Sequence, residues 1–338
     1  MKKILIIFSI VLIIIAFSLA MIIYTTQTNL SKHHIKKELI IDIPKHSDLN
    51  TIIDKFNKKN ELLPKFKYYL IIKYYTKFQN KKLIAGTYRF KKGTPYSEVI
   101  SSLFKGTHQY FIKITYPEGI TYKDFAKITE KHLFIPSNQF IEYVNSKELL
   151  KKYKINAQTI EGYLYPSTYF FKPNSSLEQI IDKLISTLFD IWNKNFKNQA
   201  DKSGYSMHTI LTLASIIEAE APAIEERKRI SGVYHNRLKN HILLQADPTI
   251  QYALNGKKRV LYKDLIINNP YNTYKFAGLP PGPINSPGFT AIEAALNPER
   301  HNYFFFVAIG DSSGRHYFAT NLKDHKKNVI KYREKRKK

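Results

Sequence analysis

One carboxylate in this sequence stands where a charge would be costly to keep. Met207, Ile210, Leu211, Ala214, Ile217 and Ala221 recur three and four residues apart, which predicts a helix with one apolar face, capped by Ser206 and stopped by Pro222. Glu218 falls inside that stripe, four residues after Ala214, whereas Glu220 points roughly the other way. Desolvation disfavours the charged form of such a group and raises its pKa. An ordinary glutamate of pKa about 4.3 is roughly 0.2% protonated at pH 7, whereas one raised to about 6 is near 10% protonated. Glu218 is therefore the candidate general acid, suited to protonating a leaving oxygen such as that of a glycosidic bond. A half-buried glutamate held by a lysine or arginine would show the same spacing.

Polar groups that suit sugar hydroxyls follow. Gln245 and Asp247 come directly after the apolar pair Leu243-Leu244, although Asp247 could equally cap a helix beginning near Pro248. Asn269 to Tyr274 and Gly278 to Ile284 read as rigid, aromatic-rich loops. Tyrosines there can stack on sugar faces and asparagines can pair with hydroxyls or amides, and both can also simply pack a loop on a core. There is no cysteine, which excludes disulfides, thiolate metal sites and cysteine nucleophiles. The eleven histidines lack the one-turn spacing of a helical metal pair, so neither a metal nor another cofactor is expected.

The elements that must position these groups read as α+β. Ile4 to Tyr24 carries no charge and would span about 31 Å as a helix, enough to cross a membrane. A cleaved signal peptide is the rival, with Ser18-Leu19-Ala20 as its small-residue site, but the apolar run continues through Met21-Ile22-Ile23. Lys2 and Lys3 favour a cytoplasmic amino terminus, while Lys32, Lys36 and Lys37 on the other flank weaken that signal. Expected next are a stalk over 25–37, then a strand from Glu38 to Ile43, helices over Ser47 to Phe56 and Phe66 to Phe78, and a strand over Leu83 to Phe90 bent at Gly86. A helix over Ser97 to Phe104 closes this unit, whose order resembles the glycan-binding LysM module. Beyond it come a strand over Tyr110 to Tyr116, helices over Tyr122 to Lys131, Ser137 to Asn145, Ser176 to Asn195 and Arg229 to Lys239, and a late strand over Tyr303 to Ala308. The net charge of +26 implies an anionic partner, and the run after Lys331 reads as a solvated basic tail.

Four ordered blocks together resemble the YceG-like family of endolytic murein transglycosylases. They are Leu213 to Glu220, Asn236-Arg237-Leu238, Leu244 to Thr249, and Tyr271 to Tyr274 with Gly278 to Ile284. Ala85 to Tyr88, Pro117-Glu118-Gly119, Glu161 to Pro166 and Asn321-Leu322 with His325 resemble other segments of the family. The resemblance covers nearly the whole chain and implies Glu218 as catalytic residue, with Gln245, Asp247, Tyr271, Asn272 and Tyr274 binding substrate. With the residue pattern above it gives a cytoplasmic tail (1–3), a transmembrane anchor (4–24), a LysM-like subdomain (38–108) and a mixed α+β catalytic domain (109–330), while the basic tail (331–338) is longer than the resemblance leads one to expect. It implies a cytoplasmic (inner) membrane protein with its catalytic domain outside, acting on peptidoglycan strands beside penicillin-binding synthases, with no nucleic acid. The implied reaction is lytic, ending in a 1,6-anhydro sugar without water, and one carboxylate suffices for it. Asp247 and Glu161 are the candidate second carboxylates for a hydrolase, and a non-catalytic glycan-binding protein is the further alternative. Ala246 departs from the serine or threonine expected before Asp-Pro, which would remove a hydroxyl contact.

Overall fold

The computed structural model of the chain describes residues 2–45, 47, 49–58, 72–78, 80–256 and 259–336. The architecture is mixed α+β, in two units: Met1–Ile112 with Phe170–Asn174, and Lys113–Tyr169 with Ser175–Lys338.

In the smaller unit, helix α1 (Lys2–Lys32) holds the apolar run, and from Ile6 it is long and apolar enough to cross a membrane, a test that a signal sequence also passes. Its large apolar side chains face outward, Phe17 being 73% exposed. The helix continues through the first half of the expected stalk. Thr25, Thr28 and Ser31 turn their hydroxyls back onto carbonyls four residues earlier, and Leu30 buries itself with Ile35 in the core of the unit. A polar composition therefore did not end the helix. Strand β1 (Leu39–Ile43) pairs antiparallel with β2 (Gly86–Phe90), from Leu39 opposite Phe90 to Ile43 opposite Gly86. Leu39, Ile41 and Ile43 alternate inward, as a half-buried strand requires, and meet Ile52, Ile53 and Phe56 of α2 (Leu49–Lys58) and Val99, Ile100 and Leu103 of α3 (Tyr96–Lys105). The expected helix over Phe66 to Phe78 lies partly outside the described residues, and Tyr74–Phe78 forms a single π turn.

The chain passes into the larger unit at Lys113, within β3 (Ile112–Thr115), which pairs with β4 (Thr168–Phe171). Between them lie α4 (Tyr122–Leu133), α5 (Ser137–Val144) and α6 (Lys147–Lys152). Thr121 and Asp124 form a reciprocal capping box at the start of α4, and Ser176 with Gln179 does the same for α7 (Leu177–Ile191). After one π turn, Trp192–Phe196, the chain passes through α8 (Lys197–Ser203) to α9 (Met207–Glu220).

Helix α9 is the axis of this unit. Ser206 caps it as expected, its hydroxyl accepting from Thr209 N–H at 3.1 Å. It is buried all round, however, rather than on one face. Leu213 and Ile216 are as deeply buried as Ile210, Leu211 and Ile217, each such side chain contributing roughly 1.5–3 kcal/mol. The α10 (Arg227–Lys239) and α12 (Phe289–Leu296) helices and the short α11 (Asp247–Ala253) pack against it. Strands β5 (Phe305–Ala308) and β6 (His316–Ala319) form an antiparallel pair backed by α13 (Leu322–Lys335). The expected basic tail is thus largely helical, with Lys331 and Lys335 ammonium groups 5.6 and 5.9 Å from the centre of the Tyr317 ring.

Candidate active site

Because the middle of α9, from Ile210 to Ile217, is sheathed by neighbours, its side chains reach solvent only in its first and last turns. Glu218, Ala219 and Glu220 occupy that turn and leave it in three directions.

Glu218 turns toward a buried arginine. Its Oε1 accepts from Arg227 Nη2 at 2.5 Å, its Oε2 accepts from Gly288 N–H at 3.0 Å, and its side chain is 6% exposed. Arg227 also donates to the Thr290 hydroxyl and to Ala221 O, and its Nη1 lies 3.7 Å from Glu118 Oε2. Burial raises the Glu218 pKa, the Gly288 N–H and Arg227 oppose this, and the Glu118 charge adds to it. Both oxygens expected to do chemistry are therefore engaged in holding α9, α10 and the start of α12 together.

Glu220 turns the other way, into a cavity of about 380 Å³ shared with Gln245, Asp247, Tyr274, Phe305 and His325. Tyr234 donates its hydroxyl to Glu220 Oε1 at 3.1 Å. Its pKa is pushed up to about 7, first by burial and then by the negative charge of Asp247, with the Tyr234 hydrogen bond and Arg237 opposing. Tyr274 donates to Asp247 Oδ1 at 2.6 Å. The arrangement is a carboxylic acid that is half protonated near neutrality, facing a second carboxylate across a polar and aromatic space.

The two loops that supply these groups are stitched to one another. Gln245 N–H donates to Thr273 O at 3.1 Å, Ala246 N–H to Thr273 Oγ1 at 3.0 Å, and the Thr249 and Thr273 hydroxyls meet at 2.9 Å. Arg237 donates to Leu243 O, Leu244 O and Phe304 O, and Asn236 to His301 O and Tyr303 O, so adjacent residues of α10 fix both the Gln245 loop and the approach to β5. The sequence singled out Asn236 and Arg237 only by resemblance.

Of the expected binding residues, Gln245, Asp247 and Tyr274 come together at Glu220, and Tyr271 and Asn272 do not. Asn272 is fully buried, donating to Leu265 O and Ile267 O and accepting from Tyr274 N–H, and so shapes its loop. Tyr271 packs its ring on Tyr252, with centroids 4.9 Å apart. Ala246 is wholly buried, so the hydroxyl expected there would face the core and not the cavity. Asp247 occupies the first turn of α11 while its carboxylate is held by Tyr274. Glu161 lies against a different cavity, lined also by Ala219 and Pro248. Sequence reasoning did not single out Arg227, Tyr234 or the place of Glu220 on this cavity. The only signal for the last was that Glu220 leaves the helix on the side opposite Glu218.

The fold is thus an α+β scaffold that brings two carboxylates, Glu220 and Asp247, to one cavity at a helix end, an arrangement open to acid–base chemistry. The chain belongs to the YceG-like family, whose sequence profile matches residues 41–331. It is 35% identical over 316 residues to a Bacillus subtilis (strain 168) protein named endolytic murein transglycosylase, covering 88% of this chain and 85% of that one. A protein of the same name from Streptococcus pneumoniae (serotype 2, strain D39) is 30% identical over 329 residues, covering 88% of this chain and 59% of the longer relative. The 2.6 Å crystal structure of the yceG-like protein lmo1499 from Listeria monocytogenes matches with a TM-score of 0.60 at 32% identity, over 86% of this chain and 99% of that one.

Proposed function

We propose that this chain is a membrane-anchored endolytic peptidoglycan transglycosylase, cutting the MurNAc–GlcNAc β-1,4 bond within strands and leaving 1,6-anhydroMurNAc ends. The observation that carries the reading is Glu220, a carboxylic acid raised to about 7 that faces Asp247 across one cavity. The relatives named endolytic murein transglycosylase support the activity. In this reading Glu220 acts in place of Glu218, the residue that the family resemblance and the helix spacing favour, because the Glu220 carboxyl lines open volume whereas both Glu218 oxygens accept hydrogen bonds within the fold.

The protonated Glu220 gives its proton to the bridging oxygen as the C1–O bond breaks, the bonding pair leaving with that oxygen. Asp247, on the wall of the same cavity, supplies in this reading the negative charge that stabilises the oxocarbenium-like centre at C1. The Glu220 carboxylate then takes the proton of the C6 hydroxyl while the C6 oxygen bonds to C1, which closes the anhydro ring, restores the acid and consumes no water. A second reading, hydrolysis with Asp247 activating water, is favoured by the same pair of carboxylates facing one cavity.

The smaller unit fits a LysM-like subdomain over 38–108, its antiparallel strand pair being flanked by helices, with the catalytic domain over 109–330. The apolar α1 fits a single-pass anchor in the cytoplasmic membrane, the amino terminus inside and the catalytic domain outside, where peptidoglycan synthases would be its neighbours. The +26 charge would draw it to anionic headgroups and peptide carboxylates, an attraction that salt should weaken. The test is mass spectrometry of strands digested by the full-length chain and by Glu220→Gln. Anhydro ends that vanish in the variant support the lytic reading, reducing ends would replace it with hydrolysis, and cleavage surviving in Glu220→Gln would remove Glu220 from the chemistry.

A further inference from the structure

On the far side of Ala219 lies a second cavity, of about 610 Å³. It adjoins the Glu220 cavity along the chain: Ala219 and Pro248 line one where their sequence neighbours Glu220 and Asp247 line the other. A glycan crossing the end of α9 would therefore meet both.

Two buried polar side chains on its wall each leave one oxygen without a hydrogen-bonding partner among the described residues. Glu161 is 1% exposed; its Oε1 accepts from Tyr122 N–H at 3.1 Å, and its Oε2 has no hydrogen-bonding partner among the described residues. Asn285 is 4% exposed; its Nδ2 donates to Ser215 O at 2.8 Å, which fixes the amide orientation and leaves Oδ1 equally without a partner. A buried polar group left unsatisfied costs roughly 1–3 kcal/mol, so two on one cavity wall point to a ligand that supplies what they lack. The site is also rigid. Gly162 has a φ of +82°, and a Cβ there would stand 2.5 Å from the Pro283 side chain, so the Glu161 turn is wedged beneath the loop that carries Asn285.

The two groups differ in what they offer. Burial pushes the Glu161 pKa up to about 8, against the Tyr122 and Gly162 N–H groups and the nearby Tyr252 phenol, while the Asp124 charge adds to the rise. Below about pH 8 the protonated form of Glu161 predominates, and because Oε1 accepts from Tyr122 N–H the oxygen free to donate is Oε2, while Asn285 Oδ1 is an acceptor. A secondary amide presents the complementary pair on two separate atoms, a C=O and an N–H.

We infer that this cavity is a subsite for the acetamido group of an N-acetylated sugar, Glu161 donating to the acetyl oxygen and Asn285 Oδ1 accepting from the amide N–H. The assignment rests on the reading of the substrate as peptidoglycan and adds the group that selects it. Glu161 acts here as a binding residue and not as the second carboxylate of a hydrolase.

Two uncharged probes separate the possibilities: the β-1,4 tetrasaccharide of N-acetylglucosamine and that of glucose, which carries a hydroxyl in place of each acetamido group. Affinities are measured by calorimetry on the full-length chain in detergent micelles from pH 6.5 to 9.5. Of the other groups facing Glu161, Asp124 has a lowered pKa, Tyr122, Tyr252 and Tyr271 have raised ones, and Lys123 and Lys127 stand at the cavity's edge. The wild type should prefer the acetylated probe by about tenfold at pH 6.5, the worth of one well-made hydrogen bond, and lose that preference as pH rises past about 8. Glu161→Gln, which keeps a neutral donor, should retain the preference at every pH, and Glu161→Met should abolish it. Equal affinity for the two probes, including no measurable binding of either, overturns the subsite, as does a preference retained by Glu161→Met. Should Glu161→Met not fold, the wild-type titration decides, and a preference indifferent to pH overturns the subsite. Strand cleavage is followed in parallel, so that an enzyme which cuts peptidoglycan without acetyl preference refutes the subsite alone.

Discussion

Arg227 Nη2 lies 2.5 Å from Glu218 Oε1, and the two side chains are 7% and 6% exposed. Arg227 reaches Thr290 and Ala221 O as well, so the pair joins the end of α9 to α10 and to the start of α12. Removing one partner of a buried ion pair leaves the other charged and uncompensated, at a cost of about 3–5 kcal/mol. Glu218→Ala should therefore lower unfolding stability by about 3 kcal/mol in a denaturant titration. Glu218→Gln, which keeps an oxygen toward Arg227, should lose less. A Glu218→Ala protein as stable as the wild type would refute the structural role.

Glu220→Gln should behave in the opposite way. Its carboxyl faces a cavity and, among the described residues, accepts a hydrogen bond from Tyr234, which an amide oxygen can still accept. Stability should change by less than about 1 kcal/mol, whereas loss of a general acid typically costs about 10²–10⁴-fold in rate. Strand cleavage and thermal unfolding measured on both variants give the comparison. Should Glu218→Gln abolish cleavage at unchanged stability while Glu220→Gln does not, the assignment of roles reverses.

The pH dependence has a definite sign. The acid step needs Glu220 protonated, and its pKa stands at about 7, so kcat/KM should fall as pH rises through about 7. The Asp247 charge is one cause of the elevation, so Asp247→Asn should move that falling limb to lower pH. The pH–rate profiles of the two proteins are the measurement. A limb that stays in place in Asp247→Asn would mean that Asp247 does not act on Glu220.

Much of this was legible in the sequence, and what was not has physical causes. The Ser206 cap, the Pro222 stop and the apolar content of α9 were plain, as were the loops that carry Asp247 and Tyr274. Glu218 was singled out by the stripe it shares with Ala214 and Leu211 and by its place in the family motif; the middle of α9 is buried on every side, so lying on an apolar face does not by itself distinguish one carboxylate from the other. What separates them is the partner each meets, Arg227 or open volume, and those partners are set by packing of α10 and α12. Asn272 and Ala246 show the same limit: their place in a motif reflects the loop they hold and the core they fill.

Gly232 gives the last test, because its replacement sets two effects against each other. It lies within α10, where alanine is intrinsically better than glycine by about 1 kcal/mol. A Cβ at this position, however, would stand 2.4 Å from Glu299 O and 2.6 Å from His301 Nε2. Neither can simply swing aside. Glu299 O is backbone, its own N–H donates to Lys228 O at 2.8 Å, and the His301 ring is bonded to Arg229 O at 2.8 Å. Overpacking costs about 1–3 kcal/mol where neighbours can move, and here the neighbour is fixed backbone, so the steric cost wins. Gly232→Ala should therefore destabilise the fold by about 2 kcal/mol in denaturant unfolding. The displaced segment leads directly to His301 O, Tyr303 O and Phe304 O, the carbonyls that Asn236 and Arg237 grip. Because Arg237 also holds Leu243 O and Leu244 O beside Asp247, cleavage by the folded fraction should fall too. A Gly232→Ala protein more stable than the wild type would show that helix propensity had prevailed and that the 299–301 segment yields more easily than its hydrogen bonds imply.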